Sequence, residues 1–162
     1  MAYNTIKITK HSDVIMELEA HETIYPGSLV KLNSDNEVAL HTTTGSNVIP
    51  VMFVLEDELQ GRGIDTPYAA GDMAQVWIPG RGDIVLGILA DGQDVSIGDV
   101  LESNGAGFLI AHVADVGDST TGTVQDATIG ISLVDLDASA DSSGQDMGAG
   151  YGINKRIPVL IK

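Results

Sequence analysis

The chain has 162 residues, with 23 acidic against 8 basic and a formal charge of −15, a balance that repels nucleic-acid phosphates and anionic membrane surfaces. It has no cysteine, which removes disulfides, thiol catalysis and Cys-ligated zinc. Hydrophobic residues make up 43% and aromatics only 4%, so one domain with its own core is expected, filled by Val, Ile, Leu and Ala.

The opening MAYNTIKITK has no apolar signal core, and no apolar run approaches membrane-spanning length, so synthesis in the cytoplasm without a visible export route is the expectation. Within it, Thr5-Ile6-Lys7-Ile8-Thr9 alternates like a short strand. The following Ser12-Asp13-Val14-Ile15-Met16-Glu17-Leu18-Glu19 reads either as a helical turn or as an extended arm, and Tyr25-Pro26-Gly27 ends the stretch. Residues 1–24 are therefore read as an N-terminal extended arm that docks on its own domain or on a neighbour. Residues 25–162 are read as a β-barrel-like domain.

From Leu29 onward the pattern is β. Strands are expected over 29–32, 38–41 and 48–55, with the hairpin turn Ser34-Asp35-Asn36 between the first two. A polar loop of about 13 residues follows, from Glu56 to Tyr68, long enough to serve in contacts. Strands over 73–78 and 84–89 flank Pro79-Gly80-Arg81-Gly82-Asp83. Strands over 100–101 and 108–113 flank the segment 102–107, and those over 128–134 and 156–161 close the list. A Ser-, Asp- and Gly-rich stretch over 137–152 reads as an exposed loop. No segment sustains a helical period, and short strands at this spacing point to a small barrel or sandwich.

One phrase recurs three times: Pro26-Gly27-Ser28, Ala70-Gly71-Asp72 and Ile97-Gly98-Asp99, each followed by an apolar run. Glycine supplies the turn dihedral, and Asp or Ser can bond the local backbone before the chain enters a sheet. Charge is also segregated. From Gly82 to Asn154 there is no Lys or Arg, while twelve acids fall there, which points to an acidic outer face with basic residues near the ends.

Chemistry-bearing motifs are weak. His11, His21, His41 and His112 are scattered, without zinc-ligand spacing. Residues 135–146 place oxygen side chains at loop positions 1, 3, 5, 7, 9 and 12, as calcium loops do. Ala140, however, stands where the sharp-turn Gly belongs, and Asp146 replaces the bidentate Glu, so the segment reads as a solvated loop. Arg81-Gly82-Asp83 is the adhesion tripeptide and reads here as a tight turn. Paired acids such as Glu56 and Glu58 arise by chance in so acidic a chain. No cofactor, metal site or enzymatic activity is expected.

With its strands placed, the chain resembles the capsid decoration (cement) proteins of tailed bacteriophages. The resemblance rests on Pro26-Gly27-Ser28-Leu29-Val30, Tyr68-Ala69-Ala70-Gly71-Asp72, the segment from Gly92 to Leu101, Ile129-Gly130-Ile131-Ser132-Leu133-Val134 and Arg156-Ile157-Pro158-Val159-Leu160-Ile161. It implies a mainly β fold, a small β-barrel or β-sandwich of tulip-like form with an N-terminal extended arm. It also implies a structural virion protein on the outer surface of an icosahedral capsid, a homotrimer at three-fold or quasi-three-fold axes that clamps the major capsid protein. Thr5, Ile6, Lys7, Ile8 and Thr9 are the expected strand-adding contacts, with Glu56, Asp57, Glu58 and Arg62 in the polar loop as the second contact region. The alternatives are the base of a head or tail fibre, and a carbohydrate-binding β-module, which would need exposed aromatic platforms that a single Trp and four Tyr scarcely supply.

Overall fold

The computed structural model describes residues 4–10, 14–44, 50–112, 127–137 and 155–162. Its commonest local device is one kind of turn, used four times. In Tyr25–Ser28, Ala69–Asp72, Gly80–Asp83 and Ser96–Asp99 the fourth N–H donates to the first carbonyl, at 3.0–3.1 Å. The third residue is Gly27, Gly71, Gly82 or Gly98, with φ of 91°, 88°, 90° and 94°. That is the type II pattern, in which the third position needs a positive φ. In the last three copies the Asp carboxylate also accepts the first residue's N–H, at 2.8 Å from Ala69, 2.6 Å from Gly80 and 2.8 Å from Ser96. A strand begins two residues after each of these glycines. The Arg81-Gly82-Asp83 tripeptide is thus the fourth copy of the phrase, and Asp83 is buried.

In chain order the strands are β1 (Lys7–Thr9), β2 (Val14–Glu19), β3 (Leu29–Leu32), β4 (Val38–Leu40), β5 (Met52–Val54), β6 (Met73–Ile78), β7 (Ile84–Leu89), β8 (Asp94–Val95), β9 (Val100–Ser103), β10 (Leu109–Ala111), β11 (Thr128–Ser132), β12 (Leu136–Asp137) and β13 (Lys155–Ile161). A single 3-10 turn, Glu58–Gln60, lies between β5 and β6. The fold is almost all β. Strands β7, β10, β9, β11 and β13 close into a five-stranded barrel, since β13 returns to pair with β7 from Lys155↔Leu89 to Leu160↔Ile84. A second sheet runs β2-β6-β5-β3-β4 and curls until Ala20, just past β2, meets Val38 of β4. Strands β8 and β12 form a separate short pair.

Two cores follow from the period-2 alternation of the second sheet. Val30, Met52, Val54, Ala74 and Val76 face its own concave side. Their neighbours Leu29, Phe53 and Trp77 point the other way and pack with Val85, Leu89, Leu101, Leu109, Ile129, Ile157 and Val159 of the barrel. The barrel is thereby sealed by the back of the other sheet. Gly87 makes that approach possible: a Cβ there would lie 2.7 Å from Leu109 Cδ1 and 3.3 Å from Phe53 Cε1.

Several sequence expectations need correction. The helical option for Ser12–Glu19 fails, because Val14–Glu19 is strand β2, paired along its length with β6. Of the two docking options for the arm, the described residues take the first: β1 lies on β7 and β2 on β6 of the same chain. The strand expected over 48–55 is limited to Met52–Val54 among the described residues, and that over 108–113 to Leu109–Ala111. The 9-residue remainder of the calcium-like segment, 138–146, lies outside the described residues, as does most of the loop expected over 137–152. Asp135 itself accepts the Ile97 N–H at 2.7 Å.

Candidate contact surface

The two segments singled out in the sequence meet. Glu56, just beyond β5, accepts the Ile6 N–H at 2.9 Å through Oε2, and Thr5 Oγ1 donates to its other carboxylate oxygen. Ile6 is fully buried in the barrel core, and its carbonyl accepts the Leu86 N–H at 2.8 Å. The carboxylate therefore fixes the start of β1 at the point where the backbone enters the barrel wall. Beyond it, Lys7 and Thr9 pair with Val85 and Ile84, while Ile8 packs against the core. That edge of β7 is shared: Leu86 donates to Ile6, Ile88 to Gly27 (3.1 Å) and Ala90 to Leu109 (2.8 Å). The opposite edge belongs to β13 throughout.

The loop that Glu56 opens is braced from within. Asp57, only 3% exposed, caps the 3-10 turn through its side chain to the Gln60 N–H, and its backbone exchanges hydrogen bonds with Arg62 at 3.0 and 2.8 Å. Gly61 ends the turn at φ 75°. Arg62 Nη1 donates to Asp72 Oδ2 (2.7 Å) and to the Pro67 carbonyl (3.3 Å), and its guanidinium lies 5.2 Å from the centre of the Tyr68 ring. The hydrogen bond to Asp72 raises the Arg62 pKa further, and the reciprocal bond from Arg62 holds the Asp72 carboxyl below its ordinary value. Burial pushes the Tyr68 phenol up to about 12, and its hydroxyl donates to the Leu55 carbonyl at 3.0 Å.

A second brace comes from the far end of the chain. Arg156 of β13, with its side chain 3% exposed, donates to the Pro26 carbonyl (3.1 Å), to Asp65 Oδ1 (2.8 Å) and to the Ile64 carbonyl. Pro26, Tyr68, Asp72 and Arg156, taken from three separate stretches of sequence, thus converge on one loop. The result is a stiff protrusion whose crest is Glu58, Leu59, Gln60 and Gly61, all exposed, with Leu59 at 96%.

Of the residues expected to touch a partner, Glu58 stands on this crest, Lys7 and Thr9 lie along the outer wall with Ile8 turned against the core, and Thr5 sits at the junction. Ile6 and Asp57 are buried, so they hold the surface in shape rather than form it. Arg62 is engaged internally. Leu59 lies within the loop expected to serve in contacts but was not singled out; its signal is an apolar residue in the otherwise polar Glu-Leu-Gln-Gly-Arg turn. Sequence reasoning missed Arg156, whose partners lie 91 and 130 residues away. No protein-family model matches the chain, and no curated protein matches it either.

Proposed function

We propose that this protein is a structural component of a tailed-phage virion. In this reading it decorates the outer surface of the head as trimers at three-fold or quasi-three-fold axes and bridges neighbouring copies of the major capsid protein. The observation that carries the reading is that the two expected contact regions meet at the Glu56 junction, with exposed Leu59 on a loop braced by Arg62 and Arg156. A cement protein needs a surface that loses little conformational entropy on docking. Repetition of a modest contact over a shell then multiplies its effect. A net charge of −15 on each copy helps to keep coated particles apart. The carbohydrate-binding alternative is weakened by the placement of the aromatics, since Trp77, Tyr68 and Phe53 are fully buried and offer no stacking platform.

The test is co-sedimentation of the purified protein with expanded phage heads stripped of decoration, with unexpanded heads as control. Saturable binding to expanded heads alone is expected, and Leu59→Ser should reduce it without moving the urea midpoint. Absence of binding to either particle overturns the proposal.

A further inference from the structure

Among the described residues, strand β2 is paired on one side only. Its ladder with β6 runs from Val14↔Ile78 to Glu19↔Met73. Just beyond it, the Ala20 N–H donates to the Asp72 carbonyl and the His21 N–H donates the opposite way, to the Val38 carbonyl, both at 2.8 Å. Backbone direction alternates along an antiparallel strand. The even residues of β2 therefore aim their N–H and C=O groups at β6, and Ile15 and Glu17 aim theirs outward. Among the described residues no strand lies on that outer side. Strand β4 touches only at Ala20↔Val38, in parallel, and then runs alongside residues 20–22, where Leu40 N–H donates to Glu22 Oε1 at 3.1 Å. It leads away from Val14, so among the described residues nothing pairs with the edge over 14–18.

The side chains on this edge have a definite character. Ile15, Glu17 and Glu19 share the outer face and are exposed, with Val14 exposed at the strand's start. Met16 and Leu18 face the second core. We propose that the β2 edge takes an extended, basic segment of another protein as an added strand, by main-chain hydrogen bonding to Ile15 and Glu17. Cationic side chains of that segment would sit beside Glu17 and Glu19, and apolar ones beside Val14 and Met16. Charge selects this occupant over a second copy of the chain. Antiparallel self-pairing centred on Glu17 would set Glu17 against Glu17, and like charges across strands destabilise, whereas a cationic strand gains at both Glu17 and Glu19. Edge strands are commonly blunted by Lys or Pro; β2 has neither, and Glu17 disfavours its own kind while both glutamates admit a cationic strand. The inference does not rest on the virion reading.

Amide exchange and peptide binding on the full chain test it. In the free protein the Ile15 and Glu17 amides should exchange rapidly while those of Met16 and Leu18 are protected. A capped hexapeptide alternating Lys and Val should slow the first two. It should bind on the order of tenfold more tightly than its Glu–Val counterpart, given two cross-strand charge pairs. Glu17→Pro deletes an outward N–H without removing a bond to β6, and should abolish binding. The double variant Glu17→Lys with Glu19→Lys should reverse the peptide preference, and it decides the matter if the proline variant fails to fold. Slow exchange at Ile15 and Glu17 in the free protein, or equal affinity for the two peptides, overturns the proposal.

Discussion

Removing the Glu56 carboxylate is the most direct test of how the N-terminal strand is held. In Glu56→Ala, the Ile6 N–H loses its acceptor inside a residue with no solvent exposure. An orphaned buried donor costs about 1–3 kcal/mol. The Thr5 hydroxyl is only half-buried, so water replaces its lost acceptor at little cost. The net expectation is a loss of about 2 kcal/mol, which for a chain of this size corresponds to a fall in Tm of roughly 4–8 °C. Urea unfolding measures the total. The Leu86 amide reports the local event, because its protection depends on the Ile6 carbonyl and hence on β1 being seated. Its exchange should accelerate more than that of Gly87 or Ile88 amides bonded elsewhere on β7. If Glu56→Ala stays within about 0.5 kcal/mol of the parent, and the Leu86 amide is unmoved, the carboxylate is not what fixes the strand.

Three further outcomes are expected. Arg156→Met keeps the apolar stem but orphans the Pro26 and Ile64 carbonyls, so stability should fall by about 2–3 kcal/mol, and trypsin should then cut after Arg62 in a loop it otherwise spares. Gly87→Ala forces Leu109 or Phe53 to move and should cost about 1–3 kcal/mol, with partial relief when combined with Leu109→Val in a double-mutant cycle by urea unfolding. Tyr68 has a folded pKa raised from the usual 10 to about 12. Its contribution is therefore fully present below pH 10 and lost as pH climbs through about 12; the difference in alkaline stability between parent and Tyr68→Phe, with absorbance at the phenolate band, measures it.

Much of the barrel could be read from the sequence because the information is local. Apolar runs such as Met73–Ile78 and Ile84–Leu89 carry their own strand signal, and glycine-bearing turns mark where four strands begin. Arg81-Gly82-Asp83 was legible as a tight turn, but its kinship with the recurring phrase was not, because no Ala or Ile precedes its Gly-Asp pair as in the other Asp copies. Strand β2 stayed open between helical turn and extended arm because Val14, Ile15 and Leu18 also suit a helical spacing, and only the ladder to β6 decides between the two. Strands β8 and β12 are two residues each and exist only by pairing across 40 or so positions. The candidate contact surface was half legible: its polar loop stood out by length and composition. The clamps that shape it, Glu56 on Ile6 and Arg156 on Ile64, span 50 and 92 residues and leave no local trace.

The sharing of β7 has a mechanical meaning. Strands β1 and β13 both run antiparallel to β7, on opposite edges, and so parallel to each other. Tension applied between Thr5 and Lys162 would draw β1 toward the Leu89 end of β7 and β13 toward the Ile84 end. The load runs along the strands in opposite senses, so the hydrogen bonds of both ladders resist together in shear instead of parting one by one. A module pulled at these two points would hold as a clasp, yielding only when the whole β1–β7–β13 seam slips at once.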